Sequence, residues 1–240
     1  MKKIGTLIAG LFVALMLHAE NADDIIKKHI DAMGGADKLK SLKSVKMEGK
    51  SLWGGNMEIP FVIYIKNSEA FKMEVSIQDK KMIQCVKGDS GWTVQPWQGT
   101  GAPEKMSADE VKAEKESADI GGDLFNYKDK GYKVELIGKE DMEGTEAYKL
   151  KVTKKDDNVK FIYLDASTYY ILKETEKFKF QDKEVESEQL FSNYKTVDGY
   201  VFAFTHEQRA VGEPTGQVTN FEKIEINPKI DDSVFVMPKK

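Results

Sequence analysis

From Val45 onward, apolar and polar side chains alternate with a period of two. Phe71, Met73, Val75 and Ile77 are interleaved with Lys72, Glu74 and Ser76, and Tyr148, Leu150 and Val152 with Lys149, Lys151 and Thr153. Alternation of this kind predicts half-buried β-strands with one wet face. Turn-forming clusters punctuate the strands at Trp53-Gly54-Gly55-Asn56, Asn67-Ser68-Glu69, Gly88-Asp89-Ser90-Gly91, Glu143-Gly144, Lys155-Asp156-Asp157-Asn158, Asp198-Gly199 and Glu213-Pro214-Thr215-Gly216. The spacing predicts about eleven strands joined mostly as hairpins, an antiparallel meander. Before it, Ile25, Ile26, Ile30 and Met33 recur at helical spacing behind an Asn21 cap, with Lys27, Lys28, Asp31 and His29 on the polar side. Gly34-Gly35 ends that helix, and a short turn of helix follows over 36–42.

One segment interrupts the meander. A Gly/Pro loop over 99–103 leads to a charged helix that starts at Ser107, with Glu110 three residues on as a capping box, and runs to about Ala118. Gly121-Gly122 follows, and then Asp123–Tyr127, read as a second short helix. The 107–118 helix is too polar for a core and must lie over something at the surface. Several strands are apolar on both faces: 59–65, 161–164, 169–172 and 200–204. Both faces of such strands must be covered. Either one curved sheet wraps around the few helices, or a closed barrel or sandwich has a filled core; the pattern alone favours neither. No repeat or linker divides the chain, which is read as a single domain over 20–240.

The first residues change the picture of where the chain works. Met1-Lys2-Lys3, an apolar run from Ile4 to Leu17, and His18-Ala19 have the layout of a secretory signal peptide over 1–19, with cleavage after Ala19. No Cys follows the run, so lipidation there is excluded. Loss of Lys2 and Lys3 leaves 34 basic against 40 acidic side chains and moves the formal charge from −4 to −6. A mildly acidic exported chain is a poor binder of nucleic acid. Arg209 is the single arginine, so paired arginine clamps for phosphate are ruled out. Cys85 is the single cysteine, which excludes an intrachain disulfide, and its place in an apolar strand reads as a small buried side chain.

Catalytic motifs are missing. Neither His29 nor His206 has metal-ligand spacing to another His or Cys, and His206-Glu207 lacks a second histidine. Gln98-Gly99-Thr100-Gly101 has no Lys-Ser/Thr after it, and no Gly-x-Ser-x-Gly elbow exists. The acidic pairs Asp23-Asp24, Asp156-Asp157 and Asp231-Asp232 fall at caps and turns, where carboxylates bond backbone N–H groups or water. No cofactor, metal or enzymatic activity is implied.

One set of positions runs the length of the chain: Gly91-Trp92 with Pro96, the Lys-rich capped helix, Tyr127-Lys128 and Gly131, the run 134–145 followed by 148–152, Phe161-Ile162-Tyr163-Leu164-Asp165 with Thr168-Tyr169, Tyr194, Asp198-Gly199 and Phe202, and the closing residues Ile224–Ile226, Asn227, Ile230–Ser233, Phe235 and Pro238. In these residues the sequence resembles the LolA-like family of exported proteins. The resemblance implies a mainly β fold, a half-open, strongly curved antiparallel sheet of about eleven strands closed by a few helices around a hydrophobic cavity. It further implies a periplasmic carrier of lipid or lipoprotein acyl chains toward the outer membrane, working as a monomer, with inner- or outer-membrane sorting proteins as its partners. The alternative is a lipid- or lipoprotein-sensing module with a protein partner. The lipoprotein carriers use an arginine facing the cavity near the lid, and Arg209 does not map onto it. In a wrapped sheet the expected cavity wall is Phe61, Ile63, Phe71, Met73, Trp92, Val94, Phe161, Tyr163, Phe202 and Phe204. Gly99, Gly101, Gly121 and Gly122 are the expected hinges of a lid formed by the 107–118 helix.

Overall fold

The computed structural model describes residues 20–53, 57–180 and 183–239. The leader expected over 1–19 and its expected cleavage site lie outside the described residues. Two helices, α1 (Ala22–Ala32) and α2 (Ala36–Ser41), precede the sheet. The strands follow as β1 (Ser44–Trp53), β2 (Met57–Lys66), β3 (Ala70–Ile77), β4 (Lys80–Lys87), β5 (Ser90–Val94) and the two-residue β6 (Glu104–Lys105). Then come α3 (Ala108–Lys115), continued by a 3-10 turn over Glu116–Ala118, and β7 (Lys133–Met142), β8 (Thr145–Thr153), β9 (Val159–Asp165), β10 (Ile171–Phe180), β11 (Lys183–Val197), β12 (Tyr200–Ala210) and β13 (Gln217–Ile226). A 3-10 turn over Asp232–Phe235 is the last element described.

The thirteen strands form one sheet in the order β6-β5-β4-β3-β2-β1-β13-β12-β11-β10-β9-β8-β7, and the pairings are antiparallel. The meander is broken only where β1 pairs with β13. Edge strands β6 and β7 are not neighbours, so the sheet curls without closing. The expected count of about eleven becomes thirteen among the described residues, one of them only two residues long.

Local chemistry accounts for the helices. The Asn21 side chain accepts from Asp24 N at 3.0 Å. Ser107 Oγ accepts from Glu110 N at 3.3 Å while the Glu110 carboxylate accepts from Ser107 N at 2.7 Å, which completes the capping box. The helix expected over 123–127 is absent. Residues 120–131 are successive turns, because Gly122, Asn126 and Gly131 all have positive φ and an α-helix cannot run through them. His29 also departs from expectation. It is 5 % exposed, and Nδ1 sits 2.8 Å from the Tyr169 carbonyl, because the β9–β10 connection folds across α1.

The two faces of the sheet have different covers. Ile25, Ile26 and Ile30 of α1, with Leu124 and Phe125, pack on Tyr148, Leu150, Val152, Ile162 and Leu164. These residues define the inner, concave face over β7–β9. At the other end, the outer face of β3–β5 is covered by the C-terminal segment. Phe235 packs on Ala70, Cys85 and Trp92, and its carbonyl accepts from Trp92 Nε1 at 3.0 Å.

Candidate functional site

Strand register fixes which side chains share the concave face. Across β1 and β2, Val45 faces Ile65, Met47 faces Ile63, Gly49 faces Phe61 and Ser51 faces Ile59. Across β2 and β3, Phe61, Ile63 and Ile65 face Val75, Met73 and Phe71. Val75 and Met73 lie opposite Met82 and Gln84 of β4. On the far side of β1, Phe221 of β13 stands opposite Gly49. A Cβ on Gly49 would lie 2.2 Å from the Asn220 carbonyl oxygen and 2.7 Å from Phe61 Cζ. The missing side chain therefore lets the Phe61 ring cross β1 and meet Phe221 edge-on at 5.5 Å. The result is an apolar stripe of Ile59, Phe61, Ile63, Met73, Val75, Ile77, Met82 and Phe221. Ile63, Met73, Ile77, Met82 and Phe221 are only half-buried. In a filled core such residues would be sealed; here a strip of the concave face, a shallow trough, is left partly open to solvent.

Over the β3–β5 side of the trough lies α3. It buries one residue of its own, Val111, and the 3-10 turn after it buries Ala118 against Ile65 and Phe71. Ion pairs hold the rest of this lid. Lys115 pairs with Asp89 at 2.7 Å in the β4–β5 turn, and Lys112 pairs with Asp156 at 3.2 Å in the β8–β9 turn. Glu116 pairs with Lys154, which is buried. The lid thus spans from one arm of the curled sheet to the other. Its exit is fixed by Asn67, whose Oδ1 accepts from Ile120 N at 3.2 Å and whose Nδ2 donates to Leu42 O at 2.9 Å. Glu114 points inward, where Gln84 Nε2 is 3.5 Å away, and burial raises its carboxyl above the usual range.

The concave face turns polar toward β9–β11. Lys160 lies between Asp123 at 2.8 Å and Glu174 at 3.0 Å, and Lys154 is 3.5 Å from Asp123. Burial opposes charge on Lys160, but Glu174 and Asp123 outweigh it and hold the ammonium protonated. Burial likewise disfavours the Asp123 carboxylate, and Lys160 and Lys154 overcome that. Glu174 is raised, by burial first, despite its contact with Lys160. A cavity of about 400 Å³ adjoins this cluster, lined by residues of α3 and of the β8–β10 arm. Farther along the same face His206 stands edge-on to the rings of Phe191 at 4.8 Å and Phe221 at 4.9 Å, with Gln189 Nε2 3.4 Å from its Nδ1. Burial pulls its imidazole down from 6.5 to about 4, so it is neutral near pH 7.

The ten wall residues read from the sequence divide between the faces. Phe61, Ile63, Phe71 and Met73 lie on the concave face of β2 and β3. Phe202 and Phe204 lie on the concave face of β12, with Leu42, Val45 and Ile224. Trp92 and Val94 point the other way and pack with Cys85 under the C-terminal segment. Phe161 and Tyr163 also face outward. The β8–β9 register sets Ile162 opposite Leu150, so their odd-numbered neighbours fall beneath the ammonium groups of Lys149 and Lys173. Ile59, Val75, Ile77, Met82, Phe191, His206 and Phe221 join the concave face without having been expected in its wall. Period-two counting outward from Phe61 and Met73 would have found Ile59, Val75 and Ile77.

Three of the four lid-flanking glycines, Gly99, Gly101 and Gly122, have positive φ. A Cβ on the fourth, Gly121, would meet the Phe125 ring at 2.7 Å. Arg209 lies on the outer face with Glu188 at 2.6 Å and Glu207 at 3.4 Å, away from the trough. Burial pushes the Cys85 thiol up to about 11, which leaves it no nucleophilic character. Asp156 serves as the partner of Lys112.

No family model and no curated protein matches the sequence. Solved structures do match its architecture. The LolA superfamily protein NE2245 from Nitrosomonas europaea aligns with a TM-score of 0.56 at 14% identity, over 91% of this chain and 98% of the other. A DUF1329 family protein from Desulfovibrio piger gives a TM-score of 0.57 at 16% identity, over 88% and 97%. An outer membrane lipoprotein-sorting protein domain from Vibrio parahaemolyticus gives 0.55 at 15% identity, over 88% and 94%. The fold is LolA-like: a large antiparallel curved sheet, open along one side, with few helices.

Proposed function

We propose that this chain is an exported, non-enzymatic carrier that holds the acyl chains of a lipid or lipoprotein in the trough and moves them through the periplasm toward the outer membrane. The mature protein is a single domain over 20–240 that works as a monomer and exchanges cargo with membrane sorting proteins. The observation that carries the reading is the stripe of half-buried apolar side chains on the concave face beneath a polar lid. Its energetics suffice. Each buried methylene yields about 0.8 kcal/mol, so a sixteen-carbon chain gains roughly 12 kcal/mol before ordering costs are subtracted. No polar catalytic constellation is needed for useful affinity.

The wall of this proposed site is Phe61, Ile63, Phe71, Met73, Phe202 and Phe204, to which the geometry adds Ile59, Val75, Ile77, Met82 and Phe221. Gly99, Gly101, Gly121 and Gly122 are its hinges. Titration with cis-parinaric acid tests it. Ile63→Glu and Met73→Glu place a charge where side chains are half-buried, so the fold survives while the dry surface is lost. Probe affinity then falls at least about tenfold, a charge in a dry pocket being costly. Folded variants, verified by circular-dichroism melts, that bind the probe as wild type does would sink the proposal. Mass spectrometry of lipids extracted from the purified protein names the cargo.

A further inference from the structure

Six large apolar side chains are conspicuously exposed among the described residues: Trp53, Met57, Trp97, Ile137, Val211 and Val236. Isolated cases are ordinary on protein surfaces. Two of them are not isolated. Trp53, 44 % exposed, and Met57, 53 % exposed, are directly opposed cross-strand partners at the ends of β1 and β2. Both follow the period-two row that carries the trough floor. Along β1 the concave row reads Val45, Met47, Gly49, Ser51, Trp53, and along β2 it reads Ile65, Ile63, Phe61, Ile59, Met57. The apolar stripe therefore does not stop at a polar rim here; it runs out into solvent through Trp53 and Met57. Val211, 47 % exposed, follows β12 at the same end of the sheet, since Gln208 pairs with Gln217 and Leu52 with Val218.

We infer that the Trp53–Met57 end of the trough is the face that meets a lipid bilayer, and that cargo chains pass over it between membrane and protein. The inference rests on the acyl-carrier reading and adds its point of entry. A tryptophan with an apolar body and a single N–H donor suits the boundary between headgroups and hydrocarbon. The lid does not obstruct this end. Its clamps are Asp89, Ser68 and Asn67 on the β2–β5 arm, in turns at the opposite ends of those strands from Trp53 and Met57. Among the described residues, an acyl chain leaving a bilayer over Trp53 meets no polar barrier beyond Ser51 before Ile59 and Phe61, and the Ser51 hydroxyl is engaged by Gln217 and by Thr219. Near the rim Lys50 lies 2.7 Å from Glu58 and 3.5 Å from Glu222, a set with one net negative charge, so contact depends on apolar insertion and not on attraction to anionic lipid.

The test is flotation of the intact mature protein with vesicles of phosphatidylethanolamine and phosphatidylglycerol, run beside cis-parinaric acid titration in vesicle-free buffer. A Trp53→Ser/Met57→Ser double variant should lose vesicle partitioning by about tenfold or more, since two side chains of this size leave the interface. A Trp53→Phe/Met57→Leu variant should keep it. Both should bind the soluble probe as wild type does. Equal flotation of the serine variant and wild type overturns the inference while leaving the trough intact. Flotation lost together with a concentration-dependent dimer of the wild type also overturns it, because the rim is then a contact between copies. Failure of wild type to bind the probe counts against the carrier reading alone, and vesicle partitioning still decides the role of the rim.

Discussion

His206 sits at the boundary between the apolar trough and the polar part of the concave face, in contact with two aromatic rings and a single amide. Its folded pKa is depressed from 6.5 to about 4 by burial. In the unfolded chain the same imidazole takes up a proton near its ordinary value. The unfolded state thus binds more protons than the native state between those two values. Stability from this group is complete above about pH 6.5 and is lost as pH falls toward 4, by at most about 3 kcal/mol. His29, buried against the Tyr169 carbonyl, is shifted in the same direction by the same cause and adds to the acid sensitivity. His206→Phe keeps the ring packing and removes the titration. Urea midpoints measured between pH 7 and pH 4 should therefore fall less steeply for this variant than for wild type. An unchanged slope would show that the imidazole is solvated in the native protein.

At the scale of elements, the lid shows how a helix with little apolar surface is kept over an apolar floor. Val111 and Ala118 are its buried anchors, and the exposed pairs Lys115–Asp89 and Lys112–Asp156 tie it to opposite arms of the sheet. Exposed pairs of this kind contribute under about 1 kcal/mol each and are screened by salt. Replacing both lysines, Lys112→Gln and Lys115→Gln, should speed release of a bound fluorescent acyl probe severalfold in stopped-flow displacement while leaving the melting temperature nearly unchanged. High salt should reproduce the effect on wild type and add little to the variant. Release rates that ignore both changes would remove the ion pairs from lid control. The capping box that starts this helix was legible in Ser107 and Glu110, and so was the Asn21 cap of α1. The faces of the strands were less legible. Alternation separates the odd from the even residues of a strand but does not say which set turns inward when both are apolar. For β2 and β3 the set containing Phe61 and Met73 is the inner one. For β5 and β9 the inner set excludes Trp92 and Phe161, because each strand's face is inherited from its neighbour's register through the sheet. The cover on the outer face, the segment around Phe235, also had no local signal. Its apolar residues are few, and their meaning depends on a contact with Cys85 and Trp92 about 150 residues away in sequence.

For the whole molecule the remaining question is where the folded chain begins. α1 starts at Ala22, and Glu20 just before it is already engaged: its carboxylate accepts from the Lys28 ammonium and from the Tyr148 hydroxyl. Those hydrogen bonds hold the Glu20 carboxyl below its ordinary range, Lys28 being the larger influence and Tyr148 the second. The last two residues before the helix thus belong to the domain, since Asn21 caps it and Glu20 ties it to β8. A cut after Ala19 would free a domain with its first residue seated, whereas a cut several residues later would remove the cap and expose Ile25 and Ile26, which are buried against β8 and β9. Export through the leader over 1–19 therefore predicts periplasmic protein that begins at Glu20. Intact-mass measurement on the periplasmic fraction checks this directly. A mass including residues 1–19, recovered with membranes, would make the apolar run an anchor, and the chain would then act tethered to the inner membrane. A start beyond Asn21 should lower the melting temperature through loss of the cap, which is worth about 1 kcal/mol. A variant beginning at Ala22, compared with one beginning at Glu20, separates the contribution of this N-terminal seat from the processing event itself.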